Sequence, residues 1–351
     1  MHTFHIVASP TLTPHCWFPN VQASYIAGLE SHVYNSKHAH SLVVYIHQAI
    51  SIASVSISNM LPVRIAEIGD WRLSDGDFML SFALTGSTCD ALAKEHPHAR
   101  DSRIVFEAQA HTYYVDGIPC PHSVTALLHN FAEEFVPAAV VRSMQSRSDW
   151  PAKSMSYRKE DGSVMQEDEI ITAWAKNGQV QRARGHLLHY HAEQYLNGRD
   201  IDLPHSPEFQ QVKLASAKFL NEGWYPFRTE FAMFHEHTRL AGQADLLCRD
   251  AEGNIILVDW KRIRELKYSN PYRNLKPPLA HLPDCNYSLY CLQLNLYARI
   301  LETEYGFCVT RMILAIVHPT KELPELIDCP RMFAEIDDLL AHAASQASQK
   351  K

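Results

Sequence analysis

The sequence predicts an α/β fold in which a mixed central β-sheet is flanked by helices. Two strand-like runs, Leu240 to Cys248 and Asn254 to Lys261, follow one another closely, and a third extends from Val309 to His318. Helical stretches precede them at Arg184 to Gly198 and separate the second run from the third at Tyr287 to Glu304. Strands that alternate with helices of this length are typical of layered α/β domains.

The first two strand-like runs are predicted to form a hairpin, because the segment between them is polar and contains a glycine suited to positive φ. A turn in the middle of that segment sets Asp245 opposite Asp259. Directly opposed residues share a face of the sheet, so the two carboxylates converge. Because side chains alternate along a strand, Lys261 lies on the same face as Asp259, and Trp260 points the other way into the core.

Two carboxylates beside an ammonium are typical of a site that cleaves phosphodiester bonds. Carboxylate oxygens are hard ligands that suit Mg²⁺ or Mn²⁺, and a nearby ammonium stabilises developing negative charge. The same residues also occur as solvated side chains of a surface hairpin. Against that alternative, Asp259 ends the apolar run Ile255 to Val258, where a surface strand would alternate.

Two helices are predicted before the hairpin, the first over Glu169 to Lys176. The second is predicted over Arg184 to Gly198, with Asn197-Gly198 as its C-terminal stop signal. It places Gly185, His189 and Glu193 on one stripe. An imidazole and a carboxylate at this spacing can supply a metal ligand and an acid. A single pair of this kind, in a chain with 21 histidines, is more often structural than functional.

The helix predicted over Tyr287 to Glu304 ends before Gly306 and carries Gln293 and Tyr297 one turn apart. Its leucines form a stripe that faces the core. On spacing alone, Gln293 and Tyr297 are more simply explained as polar residues at the rim of that stripe.

Taken in order, these motifs resemble those of the PD-(D/E)XK nuclease superfamily, in its RecB-like branch. The segment Tyr113 to Gly117, followed by Ser123 to Leu128, is similar to the first motif of the mitochondrial genome maintenance exonuclease and its viral and phage relatives. The resemblance extends from about Tyr113 to His318. The remaining motifs that carry it are Gly185-x3-His189-x3-Glu193, Glu230, Gly242-x2-Asp245, Asp259-Trp260-Lys261 and Gln293-x3-Tyr297.

The resemblance implies a restriction-endonuclease-like core and a divalent-metal-dependent DNA nuclease, an exonuclease that acts on ends or single strands in DNA repair or recombination. Water would attack the scissile phosphorus in line, with Lys261 positioning or activating it. Glu193 matches an acidic catalytic position. The implied ligands of Mg²⁺ or Mn²⁺ are His189, Asp245, Asp259 and the carbonyl of Trp260.

The resemblance also implies nucleic-acid contacts. Gln293 and Tyr297 match a pair that supports the site and the bound strand. Ser123 and Thr125 contact a backbone phosphate, or they cap the helix that follows. The basic run that leaves the catalytic strand contacts DNA, or it is a solvated helix face. The arginines of that run are Arg262 and Arg264.

Glu230 matches a recurrent acid on the strand before the hairpin. A simple turn register places it opposite Ala244 rather than Asp245. Its face therefore stays open unless a β-bulge shifts the register.

Composition limits the function further. The net charge of -7 is unusual for a nucleic-acid binder, so local basic runs matter more than the sum. The eight cysteines include no Cys-x2-Cys pair, which argues against an iron-sulfur cluster and favours a reducing, intracellular compartment. The sequence contains no phosphate-cradling Gly-x4-Gly-Lys-Ser/Thr loop, so the protein is expected to cut without ATP or to depend on a separate helicase. No secretory signal is recognised, and the apolar stretch Leu42 to Val63 is too polar for a membrane span.

Three regions are predicted. Residues 1–105 form an N-terminal region of unknown role with strand-like segments at 43–46 and 78–84, and residues 106–320 form the nuclease domain. Residues 321–351 form a helix from Leu339 onward and a frayed tail. Two other functions remain open, a catalytically inactive scaffold that binds nucleic acid or a partner protein and a metal-dependent hydrolase of small phosphoesters.

Overall fold

The computed structural model describes residues 90–150, 154–199 and 205–349. The strand-like segments at 43–46 and 78–84 and the apolar stretch at 42–63 lie outside these residues. Within the described residues, no helix is both long enough and apolar enough to cross a membrane.

A small antiparallel sheet opens the described region. Its three strands pair in chain order, so that Val105 lies opposite Tyr114 and Tyr114 lies opposite Pro119. The strands are β1 (Ile104–Glu107), β2 (Thr112–Val115) and β3 (Ile118–Pro119).

The central sheet has five strands in chain order and is mixed, as predicted. Four are long and buried, and the third and fourth pair in parallel, whereas all other neighbours are antiparallel. The helix between the parallel strands supplies the crossover that such a pair requires. The strands are β4 (Tyr225–Phe234), β5 (Ala241–Arg249), β6 (Ile255–Arg262), β7 (Val309–Val317) and β8 (Glu325–Asp328).

Seven α-helices accompany these strands in the described part of the chain. They are α1 (Ala91–Glu95), α2 (Val124–His129), α3 (Pro137–Gln145), α4 (Glu167–Leu196), α5 (Pro207–Asn221), α6 (Asn286–Glu304) and α7 (Phe333–Gln349). The last of them begins at Phe333, earlier than the helix expected from Leu339 onward.

Helix α4 differs from the sequence expectation, because the predicted helices at Glu169 to Lys176 and Arg184 to Gly198 are one continuous helix of 30 residues. It begins with a capping box between Gln166 and Glu169. The glycine between the two predicted pieces costs only about 1 kcal/mol of helix propensity, which a long helix tolerates. The helix ends at the predicted stop, where Gly198 has a φ of 68°.

Strand β6 lies between two hydrophobic cores. Ile255 and Leu257 belong to the core that includes residues of α6, whereas Ile256 and Val258 belong to the core that includes residues of α4 and α5. Both faces of the strand are therefore covered, which explains its continuous apolar run. Trp260 points into the second of these cores, as predicted.

Candidate active site

The β5–β6 hairpin brings its two acids together. Leu246 pairs with Val258, and the same antiparallel register carried one step further sets Asp245 opposite Asp259. The Trp260 backbone N–H donates a hydrogen bond to Asp245 Oδ2 at 2.7 Å. Lys261 Nζ lies 2.7 Å from Asp259 Oδ2 and therefore on the same face. The predicted hairpin geometry is confirmed.

Helix α4 places His189 beside this hairpin. Its Nδ1 lies 3.4 Å from Asp245 Oδ1 and 3.9 Å from Glu230 Oε1. Its Nε2 lies 3.0 Å from the Trp260 carbonyl oxygen. The imidazole thus contacts the backbone and side chains of three adjacent strands.

Glu230 faces Asp245, and the expected position opposite Ala244 is corrected. The turn between β4 and β5 closes with Phe234 opposite Ala241, and the same register continues to Thr229 opposite Leu246. This register places Glu230 opposite Asp245, and the register shift at Pro226 lies further from the turn. The Glu230 carboxylate accepts a hydrogen bond from Gln243 Nε2. Its φ of 45° shows that the strand is distorted at this residue. An irregularity of this kind leaves no obvious sequence signal.

A group of three residues can hold a metal ion. One ligand atom from each of His189, Glu230 and Asp245 lies within 4.8 Å of the others. Two carboxylates and an imidazole are donors that suit a divalent cation such as Mg²⁺ or Mn²⁺. Asp259 lies outside this group, since its carboxylate pairs with Lys261, but it is 2% exposed and borders the same space.

The charged groups around this space shift one another's pKa values. Burial and the neighbouring Asp245 raise the pKa of Glu230 to about 8, and burial raises the pKa of Asp259 to about 6, although Lys261 opposes this. Burial lowers the pKa of His189, but Asp245 and Glu230 outweigh it and raise the value to about 9. Buried carboxylates that repel one another in this way favour the binding of a cation.

Helix α6 supports the lysine from the other side. Lys261 Nζ donates to Gln293 Oε1 at 3.4 Å, and Gln293 Nε2 donates to the Tyr297 hydroxyl at 3.0 Å. The same Nζ lies 4.7 Å from the centre of the Tyr290 ring. Tyr290 was missed by the sequence analysis, although its helical spacing from Gln293 and Tyr297 is a signal that could have identified it.

Gly242 is required by the packing of Tyr297. A Cβ atom at position 242 would lie 2.4 Å from Tyr297 Cε1. No side chain fits at that distance, so the glycine allows the ring to approach the strand. This gives the glycine of the Gly242-x2-Asp245 motif a physical role.

Residues 109–349 match the family described as the PD-(D/E)XK nuclease superfamily.

The chain belongs to the PD-(D/E)XK nuclease superfamily.

Two solved structures resemble this PD-(D/E)XK protein at low sequence identity. One is a protein described as a candidate exonuclease from Eubacterium rectale, with 11% identity and a TM-score of 0.26 over 63% of this chain and 68% of that one. Another is the protein SSO0001, with 18% identity and a TM-score of 0.22 over 39% of this chain and 57% of that one. None of the curated proteins matches the sequence.

Two further residues of this PD-(D/E)XK chain border the site. Glu193, one turn after His189 on α4, is buried, and its charge is among those that raise the pKa of Glu230. Tyr113 of β2 is shielded from solvent, and burial followed by the charges of Tyr297 and Glu230 raises its pKa. Tyr113 lies in the first motif but was not predicted as a site residue.

The residues predicted to contact DNA have different environments. Arg262 is held in a cluster that the sequence does not reveal, because its Nε donates to Glu208 Oε1 at 2.9 Å and its side chain is 3% exposed. This guanidinium therefore faces α5 rather than solvent, whereas Arg264 is exposed.

At the start of α2, the capping alternative is observed. Ser123 Oγ accepts a hydrogen bond from the Ala126 N–H at 3.1 Å. Thr125 lies in the first turn of this helix and is exposed.

Proposed function

We propose that this chain is a divalent-metal-dependent DNA nuclease that hydrolyses phosphodiester bonds, and that it acts as an exonuclease on ends or single strands. The observation that carries the proposal is the convergence of His189, Glu230, Asp245, Asp259 and Lys261 in one partly buried space. Membership of the PD-(D/E)XK superfamily supports it. The order of the motifs supports a position in the RecB-like branch, beside the mitochondrial genome maintenance exonuclease.

The metal, Mg²⁺ or Mn²⁺, would be held by His189, Asp245 and Asp259 with the Trp260 carbonyl, and we add Glu230 to this set. When bound, a divalent cation supplies Lewis-acid stabilisation of the phosphate and lowers the pKa of a water molecule. The ligand residues come from four elements, so the folded chain holds the donors in advance of binding.

Lys261 acts as a cation. Burial lowers its pKa, but the carboxylates of Asp259 and Asp245 outweigh this effect and raise it. The group is therefore protonated at neutral pH and can donate hydrogen bonds to the attacking water and to the phosphate oxygens. Gln293 contacts the Lys261 ammonium from α6, and Glu193 supplies an acidic group from α4.

The test uses 5′-labelled linear single-stranded and double-stranded DNA and a closed single-stranded circle, each without ATP. Each is incubated with purified protein in Mg²⁺, Mn²⁺ or EDTA, beside Asp259→Ala. The proposal expects metal-dependent degradation of linear DNA, which is lost in the variant, and an intact circle.

Two results would change this assignment. A circle that is cut at the rate of linear DNA would replace the exonuclease with an endonuclease. DNA that stays intact under every condition with a folded protein would favour an inactive scaffold that binds nucleic acid or a partner.

A further inference from the structure

The loop between β6 and α6 exposes two tyrosines to solvent. We call residues 264–276 the tyrosine loop. The side chains in question are those of Tyr268, which is 55% exposed, and Tyr272, which is 83% exposed. Tyrosine is enriched at interaction sites because its ring has an apolar face and a polar hydroxyl.

The tyrosine loop is braced by hydrogen bonds to the start of α6. The Lys267 backbone N–H donates to Asn286 Oδ1 at 2.7 Å, and Asn270 Nδ2 donates to the Asp284 carbonyl at 2.8 Å. Asn270 Oδ1 in turn accepts from the Tyr272 N–H at 3.0 Å. The backbone that carries the exposed rings is therefore fixed relative to the helix that supports Lys261.

Aromatic rings lie between this loop and the proposed catalytic lysine. The ring centre of Tyr268 lies 4.7 Å from that of Tyr287, in the first turn of α6. Tyr290 lies one turn further along the helix, and its ring centre is 4.7 Å from Lys261 Nζ. A strand that contacts Tyr268 is thus close to Tyr287, which lies one helical turn from the ring beside Lys261.

The charge around these rings is basic. Residues 261–276 include six basic residues and one acid, although the whole chain has a net charge of -7. Arg264, Lys267 and Arg273 are exposed, and no carboxylate of the described residues forms an ion pair with them. By contrast, Lys261 and Arg262 are paired. The exposed cations are therefore available to phosphates.

We propose that the tyrosine loop is a stacking platform for the unpaired bases of single-stranded DNA. Tyr268 and Tyr272 would stack on successive bases, while Arg264, Lys267 and Arg273 follow the phosphate backbone. This inference rests on the proposed nuclease function and deepens it, because it names the single strand as the form that is led to the site. A duplex hides its base faces and cannot use the platform.

The experiment measures binding without cleavage, in EDTA and at one fixed salt concentration, by fluorescence anisotropy. Two labelled oligonucleotides of equal length are compared, one with bases and one abasic throughout, so that only stacking differs. The proteins are the wild type, the double variants Tyr268→Ala/Tyr272→Ala and Tyr268→Phe/Tyr272→Phe, and Tyr225→Ala, which removes an exposed tyrosine from β4.

The platform predicts that the double alanine variant binds the normal oligonucleotide about 30-fold more weakly or worse, because each of the two stacked bases contributes about 1–3 kcal/mol. Its affinity for the abasic strand stays unchanged, and the phenylalanine and Tyr225→Ala variants bind like the wild type. Lys267→Ala/Arg273→Ala weakens binding of both strands equally.

An equal loss on both strands, or no loss, would overturn the proposal. In that case, an acidic protein partner becomes the alternative occupant of the loop. Because no cleavage is involved, failure of stacking and failure of the nuclease are distinguishable. A wild type that binds through the tyrosines but never cuts overturns only the proposed activity.

Discussion

Lys261 is held more tightly than an ordinary surface lysine. It contacts Asp259 at 2.7 Å, Gln293 at 3.4 Å and the ring of Tyr290. These contacts fix the position of its charge before a substrate arrives, and fixed charges stabilise a transition state at little reorganisation cost. The proposed chemistry therefore depends on this one side chain more than on the basic run that follows it.

Lys261→Ala is expected to lower the cleavage rate by about 100-fold or more, as removal of one preorganised donor does elsewhere. DNA binding should change little, since the exposed cations of the tyrosine loop remain. Cleavage rate and anisotropy on the same oligonucleotide would separate the two effects, and a melting curve would show that the variant is folded. Wild-type cleavage by this variant would refute the assigned role.

Gly242→Ala is expected to destabilise the protein by about 1–3 kcal/mol, because the new methyl group overlaps the Tyr297 ring. Activity should fall as well, since Tyr297 supports Gln293. Urea unfolding of Gly242→Ala, Tyr297→Ala and the double variant forms a double-mutant cycle. The glycine substitution should cost much less when the ring is absent. Equal costs in both backgrounds would show that the clash is not the cause.

At the level of elements, an ion pair joins β6 to α5. Arg262 donates to Glu208, and their side chains are 3% and 12% exposed. Removing the partner of a buried charge costs folding free energy, so this pair holds α5 against the end of β6. The ion pair gives Arg262 a structural role, while its contact with DNA stays a prediction.

Arg262→Ala is expected to destabilise the fold by about 3–5 kcal/mol by leaving Glu208 unpaired. Arg264→Ala, two residues away and exposed, is the matched control and should leave the unfolding free energy nearly unchanged while weakening DNA binding. Urea denaturation and anisotropy on both variants test this contrast. A larger binding defect in Arg262→Ala at unchanged stability would restore the sequence-based assignment.

Several elements around the candidate site were predictable from the sequence. The β5–β6 hairpin and α6 follow from alternation, turn chemistry and helical spacing, which are local signals. The register of β4 against β5 was not predicted, because it depends on where the turn between them closes, with Phe234 opposite Ala241. Glu230 therefore joined the candidate site only in the structure, whereas Asp245 and Asp259 were located from the turn.

At the scale of the whole described molecule, the candidate site draws on residues far apart in the chain. His189 comes from α4, Glu230 from β4, Asp245 and Asp259 from the hairpin, and Gln293 from α6. Local sequence signals cannot show that residues so far apart in the chain lie together. That prediction came from the order of the motifs, which resembles that of the family. A metal bound by these donors would link α4 to the sheet and stabilise the fold.

Mn²⁺ at about 100 times its dissociation constant is expected to stabilise the protein by about 2.7 kcal/mol. For a domain of this size, that corresponds to a rise in Tm of roughly 5–10 °C. Differential scanning calorimetry with and without Mn²⁺ measures the shift. Glu230→Gln should fold but show a much smaller shift. An undiminished shift in this variant would remove Glu230 from the metal site.

The most direct test of the central claim compares the single-turnover cleavage rate of Asp245→Asn with that of Glu252→Gln in Mg²⁺. Both substitutions neutralise one acid of the same hairpin, but Asp245 faces His189, whereas Glu252 is exposed in the turn. We predict that Asp245→Asn loses cleavage of 5′-labelled single-stranded DNA and that Glu252→Gln cuts at the wild-type rate. Equal rates in the two variants would contradict the assignment of this cluster as the active site.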